Sequence, residues 1–166
     1  MGLDMYLRGS RYLLSDATSK EISKNIHNMF PELGEPSASY NDGLYEVSTV
    51  VVNIGYWRKA NHIHHWFVKY IQDGTDDCGD YTVTWHDLVQ LRAMCQAVID
   101  DPEKANDLLP TSSGFFFGGT DYDEWYFKDV QHTIDIINKI DAQLMTGQLD
   151  TGERWSRWEF EYQASW

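Results

Sequence analysis

The sequence predicts an α+β fold, a single globular domain over residues 1–166 with a mainly antiparallel sheet of about four or five strands and four helices. Three observations carry that expectation. Tyr45 to Tyr56 is dense in β-branched residues around Val50-Val51-Val52, the composition of a strand. Trp158, Phe160, Tyr162, Ala164 and Trp166 alternate with Arg157, Glu159, Glu161, Gln163 and Ser165, the period of an amphipathic strand with one buried face. Between these lie stretches with apolar residues at helical spacing, most of them bounded by start and stop signals. Aromatic residues make up 14% of the chain and supply much of the apolar area such a core needs.

The elements follow in order. Leu3 to Leu14 alternates loosely around Arg8-Gly9-Ser10-Arg11 and reads as one strand, or two short ones with a turn. Thr18 with Glu21 forms a capping box for a helix carrying Ile22, Ile26, Met29 and Phe30, which Pro31 ends. Residues 31–43 then read as a surface loop closing in an Asn-Asp-Gly turn. The Tyr45 to Tyr56 strand reads as covered on both faces and central in the sheet. A helix from about Lys59 to Ile71 turns Ile63, Trp66, Phe67, Tyr70 and Ile71 to the core and leaves Asn61, His62, His65, Lys69 and Gln72 on its flanks or outside.

After an aspartate-rich loop, Gln72 to Asp80, a short strand is predicted at Tyr81-Thr82-Val83. Thr84 then caps a helix whose stripe is Leu88, Leu91, Cys95, Val98 and Ile99. Residues 100–120 are a long connection, in which Gly114 to Gly119 reads equally as a buried strand or an aromatic loop. Asp121 with Glu124 starts a last helix, with Phe127, Val130, Ile134, Ile137 and Leu144 on one face, running to about Met145.

A formal charge of −13, from 26 acidic against 13 basic residues, argues against passive binding to nucleic acid or an anionic membrane. It serves solubility and would also attract a basic protein face. Cys78 and Cys95 allow at most one bridge, and Cys95 sits on an apolar stripe, so a reducing compartment is expected. The first fourteen residues carry charges at Asp4, Arg8 and Arg11, with no apolar run long enough for a signal peptide or a membrane span. Cytoplasm is the expected location.

Chemistry-bearing residues concentrate in Gly55 to Phe67, which gathers three of the six His, two of the seven Trp and the pair Arg58-Lys59, a density that suggests a site. At a strand-to-helix junction, free backbone N–H groups and the helix dipole suit an anion. Trp57, Arg58, Lys59, Asn61, His62, His65 and Trp66 are therefore the candidate ligand-binding residues, with an indole as one wall. A second cluster, Asp121, Tyr122, Asp123, Glu124, Trp125 and Tyr126, combines acids with aromatics of the kind that anchor interfaces, and is the candidate partner-binding surface.

Catalytic signatures are weak. An enzyme would draw on His62 or His65 with Asp76, Asp77 or Cys78, yet the aspartates around Cys78 oppose a thiolate. His62 and His65 share a helix face and give a metal at most two ligands, and no metal-ligand spacing completes the set, so no metal and no cofactor are expected. The phosphate-binding glycine signatures are absent too.

The start Met1-Gly2-Leu3-Asp4-Met5-Tyr6-Leu7, the block Gly55 to His64, the Asp73-Gly74 to Cys78 loop and the stretch from Gly114 through Trp125-Tyr126 together resemble a family of small proteins encoded by bacteriophages and prophages. That resemblance implies a genetic setting and, by analogy, a role in antagonising host defence or in host takeover. The expectation is a non-enzymatic accessory protein in the host cytoplasm that binds a host protein or a nucleotide-like ligand; the alternative is a small enzyme with His, Asp and Cys chemistry.

Overall fold

The alternating stretch from Trp158 onward becomes an inner strand of the sheet. In the computed structural model, which describes residues 2–13, 17–34, 47–148 and 154–166, strand β6 (Glu159–Ser165) buries Phe160, Tyr162 and Ala164 on one face. It lies between β1 (Asp4–Tyr12) and β3 (Tyr81–Val83), and β2 (Thr49–Arg58) flanks β1, giving an antiparallel sheet in the order β2-β1-β6-β3. Phe160 sits opposite Val83 and Tyr162 opposite Tyr81. A separate ribbon pairs β4 (Gly147–Gln148) with β5 (Arg154–Trp155).

The first strand is continuous, with Met5, Leu7 and Gly9 turned inward. Gly9 marks a close approach rather than a turn, because a Cβ there would lie 2.3 Å from Ile54 Cδ1. The valine-rich strand departs from expectation. It occupies the edge of the sheet instead of its middle, and Val51 and Val52 are exposed. β-Branched density reports strand conformation and says nothing of how many faces are covered. Tyr45 and Glu46 lie outside the described residues.

Five α-helices occur among the described residues: α1 (Ala17–Met29), α2 (Asn61–Tyr70), α3 (Trp85–Asp100), α4 (Ala105–Leu108) and α5 (Glu124–Gln143). Four of them match the predicted ones. The additional α4 is a single turn within the long connection, too short for apolar periodicity to register. Thr84 caps α3 through a capping box with Asp87, whereas α5 is capped by Asp123, which accepts from the Trp125 and Tyr126 N–H groups, and not by Asp121. The Gly114 to Gly119 stretch is a loop, with Phe115 fully in solvent and Phe117 packed on the core.

Contacts gather the chain into two compact units, Met1–Gly9 with Val52–Trp166, and Ser10–Val51. The larger unit holds the buried core, in which Leu3, Met5 and Leu7 meet Trp57, Ile63, Phe67, Leu91, Ile137 and Tyr162. Phe67 and Tyr162 stack nearly flat, 3.8 Å between ring centroids. Helices α3 and α5 pack together, with Arg92 reaching Asn138 and Asp141 at 3.1 Å each.

In the smaller unit, Ile22 and Ile26 are half-buried while Met29 and Phe30 are exposed, so the α1 stripe is not a buried face there. Residues 31–33 form a 3₁₀ turn. The Thr18 cap and the Asn-Asp-Gly turn lie outside the described side chains.

Candidate functional site

The junction between β2 and α2 is built by one residue in an unusual conformation. Lys59 has φ of 61°, the left-handed region that L-residues other than Asn and Asp seldom enter. Its N–H is held by the Leu3 carbonyl at 2.8 Å and its carbonyl accepts from Asn61 N–H at 2.9 Å. This turn delays the helix, so α2 starts at Asn61 instead of Lys59. Gly118, at φ of 88°, packs against the turn, where a Cβ would come 3.1 Å from Lys59 Cβ.

Asn61 was expected on the outside of the helix and is buried. Its amide Nδ2 donates to the Phe117 carbonyl at 3.0 Å and the Gly119 carbonyl at 2.7 Å, while its Oδ1 accepts from Ser112 N–H at 2.9 Å. The side chain is therefore fully spent on fixing the 112–119 loop over α2. Thr111 Oγ1 donates to the Thr120 carbonyl at 3.0 Å and closes the base of that loop.

The result is a cleft of about 360 Å³ lined by Arg58, Lys59, Asn61 and His62 on one side, by Thr111, Gly118 and Gly119 on the loop, and by Asp121, Asp123, Trp125, Tyr126 and Asp129 on and before α5. Members of the two sequence clusters thus share one concavity. Its depth has a gradient: His62 and Tyr126 are buried, Asp129 is half-buried, and Lys59, Arg58, Asp121 and Trp125 are exposed at the mouth.

His62 is the unusual member. Its ring lies 4.1 Å from the Tyr126 ring, and its Nε2 is buried with no hydrogen-bond partner among the described residues. Desolvation lowers its pKa to about 3, so the imidazole is neutral at physiological pH. Tyr126 gives its hydroxyl hydrogen to the Leu109 carbonyl at 2.9 Å. Burial, reinforced by the Asp123 charge and opposed by His132, raises the Asp129 carboxyl to about 6. Among the described residues Lys59 forms no ion pair, and Arg58 is only loosely associated with Asp4 at 3.8 Å.

Several predicted site residues lie elsewhere. Trp57 and Trp66 are core side chains and form no wall of the cleft: Trp57 Nε1 donates to Thr133 Oγ1 at 2.9 Å and Trp66 Nε1 to the Met94 sulfur. Trp57 on β2 faces α5, Trp66 on α2 faces α3, and both rings contact Phe67, so the indoles serve as bulk in the core. His65 is half-buried and does not line the cleft. In the second cluster Tyr126 is internal and Asp123, though exposed, is occupied as the α5 cap, leaving Asp121, Tyr122, Glu124 and Trp125 as the other exposed members.

The possible catalytic set does not converge. His64, not His62 or His65, meets the aspartate loop: its Nε2 is 3.0 Å from Asp76 Oδ2 and its Nδ1 2.8 Å from the Tyr162 hydroxyl. Asp77 instead receives the Gly79 N–H and the Tyr81 hydroxyl, and Cys78 is a half-buried free thiol whose carbonyl accepts from Gln163. No three His, Cys, Asp or Glu among the described residues are grouped to hold a metal ion.

Asp129 and Thr111 were the cleft residues that sequence reasoning passed over. Asp129 has a faint signal, an acid one turn after Tyr126 and directly before the apolar Val130. No protein-family model, curated protein or solved structure matches the chain. No helix among the described residues is long and apolar enough to cross a membrane.

Proposed function

We propose that the protein acts by binding a small, polar, nucleotide-like ligand in the cleft between α2, the 111–119 loop and the start of α5. The observation that carries this reading is His62, a lining residue whose buried Nε2 has no partner among the described residues, in a concavity that also presents cations, carboxylates and aromatic faces. An unsatisfied buried polar group costs about 1–3 kcal/mol, which a complementary ligand group would recover. Ligand sites commonly combine an aromatic lining with a few convergent polar groups in a volume of this order. In the phage-type setting that the sequence resemblance implies, holding such a ligand in the host cytoplasm would withhold it from host machinery.

A second reading is a small enzyme, and Asp129 favours it. A carboxyl raised to about 6 in the lining of a cleft is suited to general acid–base work, and it replaces the His65, Asp77 and Cys78 chemistry suggested by sequence. Native mass spectrometry of gently purified protein, followed by calorimetry with whatever co-purifies and a turnover assay on the same compound, separates the two. Capture without turnover is expected. Steady turnover that Asp129→Asn abolishes would establish the enzyme, and the absence of any bound or binding small molecule would remove both readings in favour of a protein partner.

A further inference from the structure

We propose that the ligand is a nucleoside monophosphate, bound base-first, with His62 Nε2 meeting the edge of the base and Lys59 with Arg58 meeting the phosphate at the mouth. This rests on the cleft being a ligand site and adds what enters it and in which direction.

The depth gradient argues for the orientation. At the deep end the lining comprises a neutral imidazole whose buried Nε2 has no partner among the described residues, a Tyr126 ring whose hydroxyl is already committed to Leu109, and a half-buried Asp129 carboxyl. A phosphate placed there would be stripped of water with no cation to balance it among the described residues, and would face the half-buried Asp129. A heterocyclic base carries no charge, and its edge offers N–H, ring nitrogen and carbonyl groups. Whichever tautomer His62 adopts, such an edge can supply the missing donor or acceptor. Its flat shape also matches the tilted pair of His62 and Tyr126 rings and the exposed Trp125 indole.

At the mouth the chemistry reverses. Lys59 and Arg58 are exposed, and neither is held in a close ion pair among the described residues, so both ammonium and guanidinium are available to an anion. They form a local cationic spot on a chain of net charge −13. Asp121, which makes no hydrogen bond among the described residues, lies on the same rim and can accept from sugar hydroxyls. A volume of about 360 Å³ is sufficient for a mononucleotide.

The test is calorimetry on the full chain with the four common ribonucleosides, their 5′-monophosphates and inorganic phosphate, at low and high salt, for wild type, His62→Phe and Lys59→Gln. At least one monophosphate should bind, about tenfold tighter than its nucleoside, and the gap should close in Lys59→Gln and at high salt. His62→Phe keeps an aromatic ring and removes the nitrogens, so nucleoside and nucleotide should both weaken by about tenfold. Should that variant unfold, the ¹⁵N resonance of His62 Nε2 in wild type provides an independent reading, and it should shift on adding the nucleoside alone. An unmoved resonance with undiminished His62→Phe binding would overturn the base-first arrangement while leaving the cleft a ligand site, as would phosphate alone binding as tightly as the nucleotide. If none of the four nucleosides and four nucleotides binds yet another small molecule co-purifies, the nucleotide assignment falls and the binding role stands.

Discussion

The imidazole of His62 rests 4.1 Å from the ring of Tyr126, so the first turn of α2 and the first turn of α5 meet through two aromatic faces. This contact gives adjacent residues opposite roles. Tyr126→Ala should destabilise the fold by about 3–5 kcal/mol in chemical denaturation, since it empties a buried site and orphans the Leu109 carbonyl. Trp125→Ala, at a side chain 67% exposed, should change stability by less than ~0.5 kcal/mol while weakening ligand capture by about 2 kcal/mol. Equal losses of stability in both variants would contradict the arrangement.

Acid should act on this region through His62. An unfolded chain protonates that imidazole below about 6.5, whereas the folded protein resists until about 3. The unfolded state therefore binds the extra proton in this window, and stability falls as pH drops through it, by about 2–3 kcal/mol at pH 4.5. His62→Phe should lack this slope. Between pH 7 and 4 the stability difference between wild type and variant should shift against wild type if the imidazole is buried neutral, and should stay constant if it is not.

Asp129 works in the opposite sense. Its folded-state pKa is raised to about 6 from an ordinary 3.8, so its contribution is fully present below the lower value and is lost as pH rises through the upper one. Asp129→Asn should then be more stable than wild type at pH 7.5 by about 1 kcal/mol, a figure reduced for the group's partial exposure. The advantage should vanish near pH 4. A destabilised variant at pH 7.5 would show that the carboxylate has a partner worth more than its desolvation.

Asn61 should behave as the clasp of the cleft. Asn61→Ala leaves the Ser112 N–H and the Phe117 and Gly119 carbonyls without their side-chain partner, at a cost of about 2–3 kcal/mol. Amide exchange at Ser112 should accelerate far more than at Leu91 or Cys95 in the core of α3. Uniform acceleration would mean that Asn61 supports the whole unit rather than the loop.

How much of this was legible depended on range. The short capped stretches and the alternating stretch from Trp158 onward declare themselves locally, and β6, β3, α3 and α5 follow from them. The density of functional types at Arg58 to His62 and at Asp121 to Tyr126 was equally visible. Their sharing one cleft was not, because nothing within either segment encodes the packing of α2 against α5. Orientation failed for the same reason. Asn61 and His62 read as surface residues on a helical wheel, yet a loop fifty residues later covers the first and Tyr126 of α5 packs on the second. Trp57 and Trp66 read as ligand walls because an indole looks alike in a pocket and in a core.

Because β6 sits between β1 and β3, the order of synthesis matters to this protein. A ribosome delivers β1 first and β6 last among the four strands, so two inner edges stay unpaired until residue 165 has emerged. Contacts of such long sequence separation form slowly. Until then Leu3, Met5 and Leu7 have no partner strand on that side, leaving an apolar, strand-forming segment for a chaperone to shield or for another nascent chain to capture.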